Sequence, residues 1–320
     1  MSKKFRILSL DGGGLRGLAQ LLILKRIEML TGKKIHELFD LIVGTSTGGI
    51  IACGLTAMEN GRTPLTVDKL IDLYSTNADA IFPKQDNKVK LAYRKFRSLF
   101  NSKFEGKGLD DQLEKYFNDI RLSETIKPII VTSYDINNNE IIMFKSRLSH
   151  EYGYDTTLKN VCRATSAAPT YLPPYDMRYM NVDRKLVDGG VYINNPSMAG
   201  IADALRYKYK GEEIRLEDIE VLSLGSGIFS EKVGAGQKKF GIVMWGPVIS
   251  TVMIQASAKL VEYECEQLPL SKFLRLQFVI DEEDKADMSD SRPETLRYIS
   301  NCVNDQILNK RINEIFSFFE

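Results

Sequence analysis

The chain has 320 residues, of which 43% are hydrophobic and 27% are charged. This balance is that of a globular protein and excludes a disordered or fibrous one. The 43 Lys and Arg residues nearly cancel the 42 Asp and Glu residues, and the net charge of +1 argues against a dedicated binder of DNA or RNA. The four cysteines lie far apart without a CxxC pair, so neither a zinc site nor a disulfide framework is indicated.

The N-terminal stretch MSKKFRILSL lacks the apolar core and cleavage site of a secretory signal, which predicts a cytoplasmic protein. Residues 41–58 carry no charge and have two glycines in GxxxG spacing, as a membrane span can. Glycines and threonines interrupt this stretch, however. A buried strand, a tight turn and a buried helix explain its composition better than a span.

The predicted elements alternate between strands and helices along the chain. They are a strand at 5–10, a turn at 11–14, a helix at 15–30 ended by Gly32, a strand at 41–43 followed by an apolar helix, strands at 128–134 and 141–144, and a strand at 220–225. This order predicts an α/β sandwich with a largely parallel sheet. The acidic segment 281–290 lacks the glycine and spacing of an EF-hand and is expected to be a solvated loop.

The first glycine cluster, DGGGLRG, directly follows a predicted strand and allows two interpretations. A dinucleotide site has the GxGxxG pattern but needs an acid at the end of the next strand, and here Asp40 precedes the strand 41–43. The other interpretation is a turn of backbone N–H groups, from Gly12, Gly13 and Gly14, that holds a developing anion at a helix N-terminus. The position of the acid favours the anion site.

The second cluster, GTSTG at residues 44–48, is a GxSxG nucleophile elbow between a buried strand and an apolar helix. It makes Ser46 the candidate nucleophile, which then needs a base. The two histidines, His36 and His150, lie in polar surroundings that are typical of surface residues. Asp188 ends a short apolar run and precedes two glycines, so it is the better candidate.

Four segments resemble the patatin-like phospholipase family, in the family's order and spacing. They are Asp11–Gly17 with its basic residue Arg16, the elbow Gly44–Gly48, Ala164–Pro174 (ATSAAPTYLPP), and the DGG motif at 188–190. The resemblance covers about residues 5–230, with 231–320 expected to be a helical extension of the same single domain, 1–320. It implies a three-layer α/β/α sandwich that hydrolyses acyl esters of phospholipids or related lipids without a metal or cofactor.

The resemblance also assigns roles to the candidate residues. Ser46 and Asp188 would form a Ser–Asp dyad without histidine, and the glycine loop would bind the oxyanion. Arg16 would either brace that loop or face a lipid phosphate. Compact bacterial members of the family act in anti-phage defence and are switched on by a cyclic dinucleotide, which gives a further hypothesis for this chain. A dinucleotide-dependent oxidoreductase and a non-catalytic binding module remain the alternatives, and an oligomer is compatible with the sequence.

A basic and aromatic stretch at 84–107 is the candidate contact with a phospholipid surface at the inner membrane face. Its charges include Lys88, Lys90, Arg94 and Lys95, and its aromatic residues recur every three or four positions. Two other interpretations fit the same pattern. One is a cap helix whose aromatic residues pack on the core, and the other is a site for a phosphate-bearing activator.

Overall fold

The structure is a computed structural model that describes residues 4–58, 64–83, 102–206, 208, 211, 213–229, 242–285 and 287–320. The strands are β1 Phe5–Leu10, β2 Leu41–Thr45, β3 Ile129–Asp135, β4 Glu140–Lys145, β5 Tyr175–Tyr179, β6 Val182–Asp188, β7 Ile219–Leu224, β8 Ile228–Phe229, β9 Lys272–Leu276 and β10 Val279–Ile280. The helices are α1 Gly17–Thr31, α2 Ile35–Leu38, α3 Thr47–Thr56, α4 Val67–Tyr74, α5 Ala78–Ile81, α6 Lys107–Phe117, α7 Leu158–Thr165, α8 Ser197–Arg206, α9 Ile242–Gln267, α10 Pro293–Val303 and α11 Ile312–Phe319.

Eight strands form the central sheet, in the order β5-β6-β3-β2-β1-β7-β9, with β4 also paired to β3. The pairs β1–β2, β1–β7, β2–β3 and β7–β9 are parallel, whereas β4 and β6 each pair antiparallel with β3. Every residue of β2 and β7 is buried, as expected for parallel strands covered on both faces. The mainly parallel sheet between helices confirms the predicted α/β/α sandwich.

One edge of β3 is shared between two strands that approach it from opposite directions. The parallel strand β2 pairs with its first half and ends with Thr45 opposite Thr132. The antiparallel strand β6 pairs with its second half and ends with Asp188 opposite Ser133. The carboxyl ends of β2 and β6 therefore meet on the same edge, which brings together the residues that end or follow them.

The predicted elements agree with the observed ones in the first two thirds of the chain. Helix α1 ends at Thr31, and Gly32 follows it in the left-handed conformation with φ 65°, as the C′ position favours. The first turn of the predicted helix is instead a short 3-10 helix, Gly14–Arg16, because the strongly bent glycine loop feeds directly into it. The uncharged stretch 41–58 forms β2, a turn and the buried helix α3. None of the helices within the described ranges is long and apolar enough to span a membrane.

The last part of the chain contains more than the predicted helices. Strand β9 extends the central sheet by pairing with β7, and residues of α10 and α11 such as Ile299 and Ile315 belong to the same buried cluster as Leu24 of α1. The strand was not predicted because its sequence, KFLRL, is no continuous apolar run like that of β2, and its pairing with β7 is set by tertiary packing. The shared core supports one domain over 1–320, which remains our proposal.

Lys88, Lys90, Arg94 and Lys95 lie outside the described residues. Phe104, near the end of the same stretch, is buried and packs edge-on against Phe82 with ring centroids 4.9 Å apart. This contact agrees with the cap interpretation for that end of the stretch.

Candidate active site

The elbow places Ser46 between β2 and α3 in a backbone conformation that few side chains adopt. Its φ is 54° and its ψ is −122°, which is strained for a residue other than glycine. A Cβ atom at Gly44 would lie 2.3 Å from the carbonyl carbon of Gly48, and one at Gly48 would lie 2.2 Å from the carbonyl oxygen of Leu10. Only glycine fits at both positions, and these two close backbone contacts explain why the GxSxG motif has glycine on each side of Ser46.

A buried threonine hydroxyl connects the elbow to the neighbouring strand. The N–H of Ser46 donates to Oγ1 of Thr165 at 2.8 Å, and that hydroxyl donates to the carbonyl oxygen of Thr132 at 2.6 Å. Thr165 ends α7 and is fully buried. Nothing in the local sequence marks Thr165 as a residue of the site, apart from its place in the ATSAAPTYLPP segment. Its hydroxyl holds the elbow against β3 and satisfies a backbone group that strain would otherwise leave unpaired.

Asp188 is buried beside the serine. Its side chain lies within hydrogen-bonding reach of the Ser46 hydroxyl, and its Oδ1 accepts from the N–H of Gly190 at 2.7 Å. Burial raises the pKa of Asp188 to about 6, although these two hydrogen bonds act in the opposite direction. A Cβ atom at Gly189 would lie 2.1 Å from Oγ1 of Thr132, so the first glycine of DGG is required for this approach.

The glycine loop offers fewer free amides than the sequence suggests. The N–H of Gly12 donates to the carbonyl oxygen of Asn194 at 3.2 Å, so it is already engaged. Among the described residues, no acceptor is paired with the N–H of Gly13 or of Gly14. Gly14 has φ 58°, in the left-handed region that favours glycine. An anion at this loop would therefore be bound by the amides of Gly13 and Gly14 rather than by all three.

Arg16 is buried against the loop. Its Nε donates to the carbonyl oxygen of Gly13 at 3.3 Å, and its guanidinium carbon lies 5.5 Å from the centre of the Phe229 ring. Burial lowers the pKa of Arg16. Its Nη1 is buried and has no hydrogen-bond partner among the residues that the structure describes. The side chain thus contacts the loop through Nε, while the two N–H groups on Nη1 have no partner among the described residues.

These groups surround a common cavity of about 300 Å³, which is lined by Ser46, Asp188, Arg16, the glycine loop and apolar residues that include Met253 of α9. A second pocket also reaches Ser46 and is almost entirely apolar, with Ile50, Leu73 and Leu109 among its walls. The nucleophile candidate stands where the two meet. The site therefore combines a polar cavity with an apolar recess.

The remaining candidates lie elsewhere. His36 is half-buried in α2 and His150 is exposed, and neither lines the cavity or the apolar pocket. The carboxylate of Asp40 accepts from the backbone N–H of Arg6 at 3.0 Å, at the amino ends of β1 and β2 and so at the opposite end of the strands from the glycine loop. Within the described ranges, no cluster of three or more His, Cys, Asp or Glu residues could hold a metal ion.

Comparison with known proteins gives one family. The family model described as "Patatin-like phospholipase" matches residues 8–201. "Patatin-like protein 2" of Arabidopsis thaliana is 32% identical over 80% of this chain and 70% of its own length. "Probable inactive patatin-like protein 9" of the same plant is 32% identical over 74% of this chain and 64% of its own length. The crystal structure of VipD from Legionella pneumophila aligns with a TM-score of 0.48 and 11% identity, covering 98% of this chain and 67% of that one.

The bridging hydroxyl of Thr165 yields a prediction about stability. Thr165→Val keeps the shape of the side chain but takes away the acceptor of the Ser46 N–H and the donor to the carbonyl of Thr132 in the interior. We expect the free energy of unfolding, measured by urea denaturation, to fall by about 1–3 kcal/mol. Thr165→Ser retains the hydroxyl and serves as the control. If the valine variant proves as stable as the serine variant, the hydroxyl does not hold the elbow.

Proposed function

The chain belongs to the patatin-like phospholipase family, and from that premise we propose that it hydrolyses the acyl esters of membrane phospholipids with Ser46 as nucleophile and Asp188 as base. Family membership supports the broader statement, a lipid acyl hydrolase. The observation that carries the dyad is that Ser46 and Asp188, at the meeting ends of β2 and β6, line one cavity, where the serine hydroxyl acts on the pKa of the carboxyl group.

The proposed reaction has two steps. Asp188 accepts the hydroxyl proton as Oγ of Ser46 attacks the ester carbonyl, and the proton then passes to the departing alcohol as the C–O bond breaks. The amides of Gly13 and Gly14 stabilise the negative charge on the carbonyl oxygen. Water attacks the acyl-enzyme and gives a proton to Asp188, which returns it to the serine as the fatty acid leaves. A single carboxyl group thus serves as base and acid in each step.

The environment of Asp188 suits this role. An ordinary aspartate is too weak a base to accept a hydroxyl proton efficiently near neutral pH, and catalysis improves as the pKa of the base approaches the working pH. The value of about 6 comes from burial, since the hydrogen bonds from Ser46 and Gly190 lower it. No histidine is needed to supply a base near neutrality.

The two pockets suggest how a phospholipid is bound. The apolar pocket beside Ser46 has aliphatic and aromatic walls, and its volume of about 40 Å³ suits the first carbons of an acyl chain next to the ester. Nη1 of Arg16 is buried without a partner among the described residues, and a buried cation is stabilised by a negative group. We therefore propose that Nη1 contacts the lipid phosphate while Nε stays bonded to the glycine loop.

The alternatives have less support. A dinucleotide-dependent oxidoreductase needs an acid at the carboxyl end of β2, and Asp40 is bonded at the amino end of that strand. A non-catalytic module is the second alternative, and the name of one relative, "Probable inactive patatin-like protein 9", is what supports it. Here Ser46, Asp188 and two free loop amides are all in place, which favours an enzyme. The cyclic-dinucleotide trigger stays a prediction that no observation tests.

We further propose that the protein acts at the inner membrane face through the basic stretch that includes Lys88, Lys90, Arg94 and Lys95. A phospholipase must reach its substrate at a surface, and a net charge of +1 means that attraction to anionic lipids has to be local.

The dyad is tested by single substitutions. Ser46→Ala and Asp188→Asn should each abolish esterase activity, because one removes the nucleophile and the other the base. His36→Ala and His150→Ala are the controls and should retain most of it. A fluorophosphonate probe should label the wild type but not Ser46→Ala. A folded but inactive His150→Ala protein would contradict the dyad and restore a scheme with histidine.

The pKa of Asp188 predicts the acid limb of the pH profile. Only the ionised carboxylate can accept the serine proton, so kcat/KM should fall about tenfold per pH unit below about 6 and level off above it. An unperturbed histidine, with a pKa of about 6.5, would give a similar limb. We therefore expect His36→Ala and His150→Ala to keep it. Loss of the limb in either variant would assign it to that histidine instead.

The membrane proposal is tested by reversing charge. Changing Lys88, Lys90, Arg94 and Lys95 to Glu should sharply reduce hydrolysis of anionic phospholipid vesicles. Added salt should reduce the hydrolysis of these vesicles by the wild type, because it screens surface charges over about 10 Å at 0.1 M. Hydrolysis of a soluble short-chain ester should be unchanged. Equal loss on both substrates would point to a structural cap or an activator site.

A further inference from the structure

The first residue of the glycine loop carries a carboxylate deep inside the protein. Asp11 follows β1 and is 1% exposed. The guanidinium of Arg275, on β9, donates from Nη1 to Oδ1 at 2.8 Å and from Nη2 to Oδ2 at 2.6 Å. Two parallel hydrogen bonds fix orientation as well as distance. The pair therefore determines where the Asp11 side chain points.

Arg275 is itself firmly held. It is 7% exposed, and its Nη1 also donates to Oγ of Ser223 on β7 at 2.8 Å. Its carbonyl oxygen accepts from Nη1 of Arg311 at 2.8 Å. The guanidinium is thus a fixed point of the sheet to which Asp11 is attached.

The backbone of Asp11 is fixed as well. Its N–H donates to the carbonyl oxygen of Leu224 at 3.1 Å, and its carbonyl oxygen accepts from the side-chain amide of Gln20 at 2.9 Å. The direction in which the loop leaves β1 is therefore set by main chain and side chain together. The amides of Gly13 and Gly14 follow within three residues.

The other end of the glycine loop is also held by the C-terminal part of the chain, here by the segment around Met288. The N–H of Leu15 donates to the carbonyl oxygen of Met288 at 2.9 Å. A Cβ atom at Gly14 would lie 2.4 Å from that oxygen, so the two segments are in close contact. The acidic segment was expected to be a solvated loop. At Met288 this expectation is wrong, because the backbone there packs on the glycine loop.

We infer that Arg275 is a positioning residue for the glycine loop, holding Asp11 so that the amides of Gly13 and Gly14 stay directed at the oxyanion. This inference rests on the proposed function. The positioning residue then lies on β9, beyond residue 201, where the match to the family model ends.

The test uses Arg275→Lys. Lysine keeps the charge but replaces a two-pronged contact with a single point, so Asp11 is held less firmly while its charge stays compensated. We expect kcat per Ser46 site, with sites counted by saturating fluorophosphonate labelling, to fall at least about tenfold while KM changes less than about twofold. Amide hydrogen exchange in residues 11–18 should become faster.

Arg6→Lys is the matched control. Arg6 of β1 pairs with the buried carboxylate of Glu220 of β7 at 2.8 Å. This pair lies at the amino ends of the two strands, whereas Asp11 follows the carboxyl end of β1. This variant should keep wild-type kcat and wild-type exchange in residues 11–18.

Three outcomes would overturn the inference. The first is a wild-type kcat in Arg275→Lys, and the second is an equal loss in both variants. The third is an insoluble Arg275→Lys beside a soluble Arg6→Lys, because Arg275 would then support the fold rather than the loop. If the wild type itself shows no Ser46-dependent esterase activity, the proposed function fails, and the exchange of residues 11–18 still decides the positioning role.

Discussion

The shared edge of β3 is the constraint on which the site depends. Because β2 is parallel and β6 antiparallel to β3, their carboxyl ends are directed at each other along one edge. The elbow that follows β2 and the aspartate that ends β6 must therefore meet, whatever lies between them in the chain. In a wholly parallel sheet, the two strands that pair with β3 would lie on its two different edges, and their carboxyl ends would not meet on one edge. The mixed pairing of β3 is thus a requirement of the site rather than an irregularity of the fold.

This meeting point is crowded, and the crowding explains the local sequence. The left-handed backbone at Ser46 costs about 1–3 kcal/mol by itself, so surrounding contacts must hold it. The hydroxyl of Thr165 provides one such contact. The close approaches at Gly44, Gly48 and Gly189 provide others, since each backbone touches a neighbour where a side chain would not fit. Small residues and a buried hydroxyl are the consequence of placing a strained turn inside a packed sheet.

The sequence predicts those features whose cause is local. Apolar runs predict β1, β2 and β7, and the glycine spacing around Ser46 predicts the elbow because a sharp turn needs small residues at fixed offsets. It does not predict that the N–H of Gly12 is bonded to Asn194, that Thr165 is bonded to the elbow, or that Arg275 is bonded to Asp11. Those contacts join residues from distant parts of the chain, and a threonine or an arginine has the same local signature wherever its partner lies. The short strand β9 was missed for the same reason, since its pairing with β7 is set by tertiary packing.

Asp11 and Asp188 show how one residue type meets two different surroundings in the candidate site. Both are buried at the ends of strands in the central sheet. Asp11 faces the permanent charge of Arg275 through two hydrogen bonds, which suits a fixed anchor. Asp188 accepts hydrogen bonds from neutral groups, the hydroxyl of Ser46 and the amide of Gly190, and its pKa rises to about 6. A cation beside Asp188 would stabilise the carboxylate and weaken it as a base. Burial also raises the pKa of Asp11, and there the charge and hydrogen bonds of Arg275 oppose the rise. At Asp188, the proposed base, only neutral groups oppose it.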